Sequence, residues 1–247
     1  MTTLLAIETT EKLGSVAISE DGNVLHYLEL PTGQRSAQSL VPTIQAVLQQ
    51  VGWEIQSINT IAVATGPGSF TGLRVGLATA RMLAYVIEAE IYGINTLQAI
   101  AANAVIHVDI AGINAEQKMT IAIDAQRGEV SAQTFQFVPG RYFRHQLFPK
   151  PIEERQLLSF AAWWRLADEK KRDTEKPLLF SGAILQKIAA CKPENVSLVD
   201  PSLWQPNALG VSQIAWERIA FGEADNLWTL QPYYSRLSAA EEKKGLA

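Results

Sequence analysis

At the start of the chain, short apolar runs are separated by polar turns, and this pattern predicts three short strands. The runs LLAIE, SVAIS and VLHYLEL (residues 4–8, 15–19 and 24–30) are rich in apolar side chains, and the polar turns EKLG and EDGN separate them. The chain is therefore predicted to open with a strand–turn–strand–turn–strand unit.

The apolar positions then take a helical spacing between residues 35 and 52. Pro42 falls in the predicted first turn of this helix, where its missing N–H costs little, and Gly52 is a C-terminal stop signal. The next run, SINTIAVAT (57–65), is almost continuously apolar, as in a strand that is buried on both faces of a parallel sheet. A glycine-rich loop and a second long apolar helix follow.

The loop GPGSFTG stands where many proteins hold a phosphate, between a buried strand and a helix. A Walker-type loop would end in Lys followed by Ser or Thr, but Leu73 and Arg74 follow here, and the glycine spacing is one residue too long for a dinucleotide fingerprint. Backbone N–H groups at the start of the helix could still attract an anion. We interpret the loop mainly as a structural elbow, in which glycines allow a sharp turn after Thr65 and a proline stiffens it. Its residues are Gly66, Pro67, Gly68, Ser69, Phe70 and Thr71.

The helix after the loop is apolar around most of its circumference, which predicts that it is covered on two sides. One face carries the small residues Gly72, Gly76, Ala80 and Ala84, interleaved with leucines; a second apolar face carries Val75, Met82 and Val86. One face must pack on the helix's own sheet. We predict that the small-residue face meets a helix of a partner subunit, with the second lobe of the same chain as the alternative. The predicted interface residues are Gly72, Leu73, Arg74, Gly76, Leu77, Ala80, Arg81 and Ala84.

The second half of the chain repeats the plan of the first half weakly. Ala6-Ile7-Glu8 has a counterpart in Ala122-Ile123-Asp124, and the stretch PLLFSGAILQKIAA repeats strand, glycine turn and helix. The order of these matches is the same in both halves, which predicts two related α/β lobes divided near residues 105–118. The predicted domains are an N-terminal lobe (1–108), a second lobe (109–210), and a C-terminal helix and tail that return toward the first lobe (211–247).

Charge and cysteine content limit the classes of function. A net charge of −4 argues against a protein that grips nucleic acid alone, because phosphate contacts need clustered Lys and Arg. The single cysteine, Cys191, allows no internal disulfide, as expected in a reducing cytoplasm. The N-terminus lacks the basic segment of a targeting signal, and charged residues interrupt the longest apolar stretches, so we expect no association with a membrane.

The stretch GPGSFTGLRVGLATARMLA resembles the signature of the TsaB (YeaZ) family of tRNA threonylcarbamoyladenosine biosynthesis proteins. The segments LLAIETTEKLGSVAIS, SAQSLVPTIQAVLQQVG, AIDAQRGEVSAQTF and QPYYSR, followed by AAEEK, agree in the same order, so the resemblance covers nearly the whole chain. Glu8 is a mild departure, because TsaB sequences usually carry Asp at that place.

The resemblance implies a fold and a set of partners. The fold is the actin/sugar-kinase/heat-shock ATPase (ASKHA) type of duplicated α/β lobes, here with the second lobe reduced. The implied role is that of a non-catalytic subunit, required with a TsaD-type catalytic partner and a TsaE-type ATPase for threonylcarbamoyl transfer to the adenosine beside the tRNA anticodon. On this view the chain alone holds no cofactor, and ATP or ADP can bind at the interface with the partner. The chain contacts tRNA only as part of the complex. A homodimer can form when the partner is absent.

The same superfamily places an acidic residue at the end of the first strand to organise metal and phosphate. Glu8, Thr9 and Thr10 occupy that place here, and Asp124 takes the matching place in the second lobe, which suggests a vestigial nucleotide site. The alternative is that these residues cap strand ends and turns. The rival function is a stand-alone ATP-dependent enzyme with Glu8 and Asp124 on a metal. A metallopeptidase is a poor candidate, because His26, His107 and His145 form no His-x-x-x-His pair.

Overall fold

The computed structural model describes residues 1–107, 113–143, 146–171, 178–188 and 197–236. His145, Cys191 and the AAEEK segment lie outside the described residues. Two mixed β-sheets form the framework, each with helices on both faces.

The first sheet is built by residues 3–95 and has the strand order β3-β2-β1-β4-β5. The three predicted N-terminal strands form an antiparallel meander, in which the middle strand pairs with the other two. The apolar run after the first helix pairs in parallel with β1 through Ala6 and Ala62. The strands are β1 (Thr3–Glu8), β2 (Ser15–Glu20), β3 (Asn23–Glu29), β4 (Thr60–Gly66) and β5 (Glu90–Asn95).

The second sheet has the order β8-β7-β6-β10-β11, with β9 paired to β7 beside this path. As in the first sheet, the first three strands of the order are antiparallel and the last two join in parallel. The strands are β6 (Lys118–Gln126), β7 (Glu129–Pro139), β8 (Leu147–Pro151), β9 (Gln156–Ser159), β10 (Leu179–Ser181) and β11 (Ser197–Leu198). In each sheet the strand that comes first in sequence, β1 or β6, lies at the centre. Antiparallel strands lie on one side of it, and strands that pair in parallel lie on the other. This shared order confirms the predicted repeat of two α/β lobes.

In both lobes a helix follows a strand that pairs in parallel with the first strand of the lobe. α2, with 18 residues, follows β4, and α5, described over Leu185–Ile188, follows β10. The helices are α1 (Ser36–Val51), α2 (Phe70–Ile87), α3 (Thr96–Ile106), α4 (Phe160–Lys171), α5 (Leu185–Ile188) and α6 (Ala208–Ile219), with single 3₁₀ turns at Ile55–Ser57 and Pro201–Leu203.

The first helix ends as predicted but begins differently. Gly52 adopts a left-handed conformation with φ of 70° and donates its N–H to the last carbonyls of the helix, which makes it the expected stop. The helix begins at Ser36, so Pro42 lies inside it rather than in its first turn.

The two sheets exchange their covering helices at the centre of the molecule. α3 follows the first sheet and lies between the two sheets, on β6, β7 and β8 of the second and on β4 and β5 of the first, whereas α6 follows the second sheet but packs on β1, β2 and β4 of the first. The two helices also pack against each other. The inner face of the first sheet, with Leu4, Ala6 and Tyr92, is thus closed by Val211 and Trp216 from the far end of the chain. The residue limits of the three domains stay a prediction.

A buried carboxylate fixes α6 to the second lobe. Glu217 is 2% exposed and accepts hydrogen bonds from the backbone N–H groups of Arg141, Tyr142 and Phe143. Such charge-assisted bonds to a turn are stronger than neutral ones, so this contact resists separation of the turn from the helix.

Among the described helices, Phe70–Ile87 is long and apolar enough to cross a membrane by length and composition. Core helices of proteins without a membrane segment pass the same test, and the inner side of this helix packs on the first sheet through Leu77, Ala80 and Ala84.

Candidate functional site

The glycine loop connects β4 to α2 and is shaped by close contacts with its own chain. β4 ends at Gly66, whose φ of 114° favours glycine, and a cis peptide bond joins Gly66 to Pro67. Ser69 is the N-cap of α2, and its Oγ accepts a hydrogen bond from Gly72 N at 3.3 Å. Phe70 and Thr71, assigned to the loop from sequence, are the first two residues of the helix.

The small residues of α2 face the turn that follows β1. A Cβ on Gly72 would overlap the carbonyl oxygen of Thr9, and a Cβ on Gly76 would overlap the Thr9 hydroxyl. That hydroxyl donates to Gly72 O at 2.8 Å, so helix and turn are joined by a buried hydrogen bond as well as by contact. A Cβ on Gly68 would lie 2.6 Å from Thr10. These glycines therefore allow the helix to approach the end of the first strand.

Most of the predicted partner interface is buried within this chain. Six of its members are buried against the first lobe's own sheet and turn, so they are closed to a partner: Gly72, Leu73, Gly76, Leu77, Ala80 and Ala84. Small residues are needed here because the backbone of Thr9 lies directly against the helix. Arg74 is exposed and Arg81 partly exposed, outside the buried stripe.

The opposite face of α2 carries exposed apolar side chains. Met82, Tyr85 and Val86 are 63%, 58% and 69% exposed, and Trp228, from the segment after α6, is 68% exposed. The rings of Tyr85 and Trp228 meet edge-on at 5.5 Å, and Arg81 Nη2 donates to the Trp228 carbonyl at 3.4 Å. We call these four residues, Met82, Tyr85, Val86 and Trp228, the outer face of α2. The sequence pattern places Met82 and Val86 on a second apolar face of the helix, but it does not show that this face is the one exposed to solvent.

Two N–H groups that could hold a phosphate at the loop are engaged by the chain itself. Ser69 N donates to Thr10 O at 2.7 Å, and Gly72 N donates to Ser69 Oγ at 3.3 Å. On the facing turn, Thr10 N donates to the Glu8 carboxyl. The geometry thus favours a structural role for the loop over anion binding.

Glu8 is a fully buried carboxyl at the end of β1. Its Oε1 accepts from both the N–H and the hydroxyl of Thr10, while Oε2 is buried without a partner among the described residues. Burial raises the pKa of Glu8 to about 8, although the bonds from Thr10 oppose that shift. Glu8 is therefore mainly protonated at pH 7 and does not present a charge to the cleft.

The raised pKa of Glu8 predicts a pH-dependent stability. The folded protein holds this proton more tightly than the unfolded chain, so the stabilisation is complete below about pH 4.5 and is lost as the pH rises through 8. Between pH 7 and pH 9 we expect the free energy of unfolding to fall by about 1.4 kcal/mol more in the wild type than in Glu8→Gln. Urea unfolding at the two pH values measures this difference.

Glu11→Gln provides the comparison, because the pKa of Glu11 is raised only to about 7 and most of its effect falls below that pH. Identical pH dependence of the wild type and Glu8→Gln would show that Glu8 titrates normally.

An open cleft of about 700 Å³ separates the two lobes beside the glycine loop. Asp124 lies on its wall, paired with Lys187 at 2.6 Å, and its other oxygen accepts from Gln126 N at 2.7 Å. Glu11 faces it from the first lobe; burial and the nearby Asp124 raise its pKa, and Lys12 and Lys187 oppose this. The two lobes thus contribute acidic groups to one cleft, each with a lysine nearby.

The structure separates the four residues of the predicted nucleotide site. Asp124 lines the cleft, whereas Glu8, Thr9 and Thr10 are buried in the turn beneath the glycine loop. Sequence reasoning did not single out the residues that line the cleft in their place: Glu11, Lys12, Lys187, Tyr234 and Arg236. The only sequence signal for the last two was the QPYYSR segment, quoted for its resemblance alone.

The described part of the chain contains no group of three or more His, Cys, Asp or Glu side chains arranged to hold a metal ion. His26 lies on β3 and His107 follows α3, in different parts of the fold.

Comparison with known proteins identifies the family. A family model described as TsaD, tRNA N6-adenosine threonylcarbamoyltransferase, matches residues 31–191, more than half of the chain. The tRNA threonylcarbamoyladenosine biosynthesis protein TsaB of Escherichia coli (strain K12) is 36% identical over 127 residues, which are 51% of this chain and 52% of that protein. TsaB of Bacillus subtilis (strain 168) is 29% identical over 181 residues, 73% of this chain and 70% of that protein. The chain belongs to the TsaB (YeaZ) family of TsaD-like proteins.

The match to the Escherichia coli TsaB spans about half the length of that relative. YeaZ from Pseudomonas aeruginosa is 23% identical, with a TM-score of 0.76 over 95% of this chain and 100% of that one, and so shares the fold. The predicted fold class of two related α/β lobes is confirmed for this TsaB-family chain.

Proposed function

We propose that the chain is a non-catalytic subunit of a tRNA-modifying complex. It works with a TsaD-type catalytic subunit and a TsaE-type ATPase in the transfer of a threonylcarbamoyl group to the adenosine adjacent to the anticodon. The relatives that carry the name TsaB are threonylcarbamoyladenosine biosynthesis proteins, and this supports the choice of pathway.

The outer face of α2 is the observation that carries the subunit role. Three neighbouring apolar side chains on one helix, extended by Trp228, are more than half exposed. A contiguous apolar patch containing Tyr, Trp and Met is typical of the core of a protein–protein interface.

We assign a TsaD-type subunit to this face. The TsaD family model matches the part of the chain that includes α1 and α2, so a TsaD-type partner is expected to carry an equivalent helix pair on an equivalent lobe. Two related lobes can then meet helix against helix. In the absence of that partner a second copy of this chain can use the same face, as a two-fold contact requires.

The burial of Glu8 supports the non-catalytic role. The rival function, a stand-alone ATP-dependent enzyme, needs Glu8 and Asp124 together on a metal. Glu8 instead turns its Oε1 to Thr10 and lies apart from the cleft wall that carries Asp124. That geometry speaks against the rival.

The remaining parts of the proposal concern ligands and location. A net charge of −4 favours contact with tRNA through the complex rather than by this chain alone. We propose that the isolated chain holds no cofactor, that ATP or ADP binds where the partners meet, and that the complex works in the cytoplasm away from membranes.

Reconstitution tests this function. Purified chain, TsaD-type subunit, TsaE-type ATPase, the threonylcarbamoyl adenylate and tRNA are combined, and each protein is omitted in turn. Modified nucleoside, measured by mass spectrometry of digested tRNA, is expected only when this chain and the TsaD-type subunit are both present. Product formed by this chain alone, or full product without it, would contradict the proposal.

A further inference from the structure

The segment after α6 runs across the first lobe and ends on the second. We call residues 225–236 the strap. Its start is fixed to the edge of the first sheet, where Asp225 N donates to Ile91 O at 2.8 Å and Asp225 Oδ2 accepts from Gly93 N at 2.7 Å. Arg218 of α6 pairs with the same carboxylate at 3.0 Å. The strap therefore begins at a firm anchor.

The middle of the strap lies on the glycine loop. Tyr233 N donates to Thr65 O at 2.7 Å, and the Tyr233 carbonyl lies against Gly66. The guanidinium of Arg155, from the second lobe, stacks on the Tyr233 ring at 3.4 Å from its centroid and is 3.5 Å from Gly66 O. A cation on an aromatic face is attracted by the negative charge density of the ring, and more strongly in a partly desolvated place. The second lobe thus holds the strap and the loop together.

The end of the strap closes one side of the cleft and reaches the other lobe. The Tyr234 ring stacks on Phe70 at 4.6 Å, and Arg74 Nε donates to the Tyr234 hydroxyl at 3.1 Å. Arg236 then pairs with Glu129 of the second lobe at 3.1 Å, with only 20% and 34% of the two side chains exposed. Two contacts thus join the strap to the second lobe. In one the strap supplies the cation, Arg236, and in the other the second lobe supplies it, Arg155.

The same segment also forms part of the outer face of α2. Trp228 stands between the anchor at Asp225 and the loop contact at Tyr233, and its ring meets Tyr85. One short stretch of chain therefore connects the apolar docking face, the glycine loop and the mouth of the cleft.

We propose that the strap sets the opening of the cleft between the lobes and transmits docking on the outer face of α2 to that cleft. The first half of this inference concerns the isolated chain. The second half rests on the proposed function, because it requires a partner on that face. A partner that docks on the outer face of α2 fixes the position of Trp228 and so orders the strap. The ordered strap keeps Tyr233 and Tyr234 on the glycine loop. Its ion pair from Arg236 to Glu129 then holds the second lobe close to the first.

Distance measurements between the lobes test the first half. Spin labels are placed on exposed positions of the two lobes, Gln45→Cys and Lys150→Cys, in a Cys191→Ser background, and the distance distribution is recorded by double electron–electron resonance. Arg236→Gln and Glu129→Gln are each expected to enlarge the population at long distance about two- to five-fold, the effect of losing one ion pair.

Two controls make the result specific. The charge exchange Arg236→Glu with Glu129→Arg should return the distribution toward that of the wild type, which a merely misfolded variant could not do. Glu54→Gln removes an exposed carboxylate between α1 and β4 and should change nothing. A wild-type distribution in Arg236→Gln would overturn the role of the strap.

The second half is tested by adding the TsaD-type partner at saturating concentration. The long-distance population is expected to shrink in the wild type and to stay unchanged in Trp228→Ala, with partner binding followed separately by calorimetry. If the partner binds the wild type without altering the distances, the transmission is wrong and the proposed function stands. If the partner does not bind at all, the proposed function fails while the measurements on the isolated chain remain valid.

Discussion

Replacing Val86 with glutamate is expected to abolish the productive complex while leaving the fold intact. Val86 is 69% exposed, so the new carboxylate stays in water in the isolated chain. In the complex it would be buried among the apolar residues of the outer face of α2, without a partner for its charge. A loss of about 2 kcal/mol or more, typical of an interface hot spot, weakens binding by about 30-fold or more. Calorimetry with the TsaD-type subunit measures the change, and reconstituted transfer should fall with it.

Val24→Glu is the matched control. Val24 is 48% exposed on β3 of the same lobe, so the two variants share charge and side-chain type but differ in location. Both should keep the wild-type melting temperature, and only Val86→Glu should lose binding. Weakened binding in Val24→Glu with normal binding in Val86→Glu would move the interface to the edge of the first sheet. Sedimentation of the isolated variants shows whether a homodimer uses the same face.

Replacing Gly72 with alanine is expected to destabilise the fold more than any surface substitution. The added methyl group would overlap the Thr9 carbonyl, which is backbone and is held by the strand before it. Overpacking at such a contact costs about 3 kcal/mol or more. For a protein of this size that lowers Tm by roughly 6–12 °C. Thermal unfolding followed by circular dichroism gives the value.

Ala78→Leu tests the same helix on its exposed side, where a larger side chain meets solvent. Its Tm should remain within about 2 °C of the wild type, because surface substitutions away from special contacts change stability little. Gly76→Ala should fall between the two variants, since the Thr9 hydroxyl can rotate away at the loss of its bond to Gly72 O. Equal Tm values for Gly72→Ala and Ala78→Leu would mean that the small-residue face of α2 is not packed as described.

The two apolar faces of α2 show where sequence reasoning succeeds and where it stops. Periodicity identified both faces correctly, because side chains on a helix sort by angle alone. It could not tell which face belongs to the sheet, since that depends on the position of the Thr9 backbone, 63 residues away along the chain. Small residues on a helix predict a close approach by another helix, whereas here they make room for the chain's own turn.

The lobe repeat could be predicted because the two halves share local patterns in the same order. The residues that line the cleft could not be predicted from the sequence. Glu11 and Asp124 approach each other only because the two lobes pack together, and Arg236 reaches Glu129 through a segment that has no periodic pattern. Glu8 was predicted at a strand end, which is correct, but its burial depends on how closely the glycine loop covers it.

The exchanged central helices have a consequence for synthesis on the ribosome. The five strands of the first sheet are complete once residue 95 has emerged, and α3 follows at once, but α6, the other helix that covers their inner face, ends at residue 219. At translation rates of about 5–20 residues per second, on the order of ten seconds pass between the synthesis of the first sheet and that of α6. Only then can Val211 and Trp216 pack on Leu4, Ala6 and Tyr92. During that interval the nascent first lobe presents an open hydrophobic surface, the kind of surface that chaperones hold. α6, the last helix among the described residues, therefore completes the N-terminal lobe, and the part of the protein that is made first depends on a much later part for its folding.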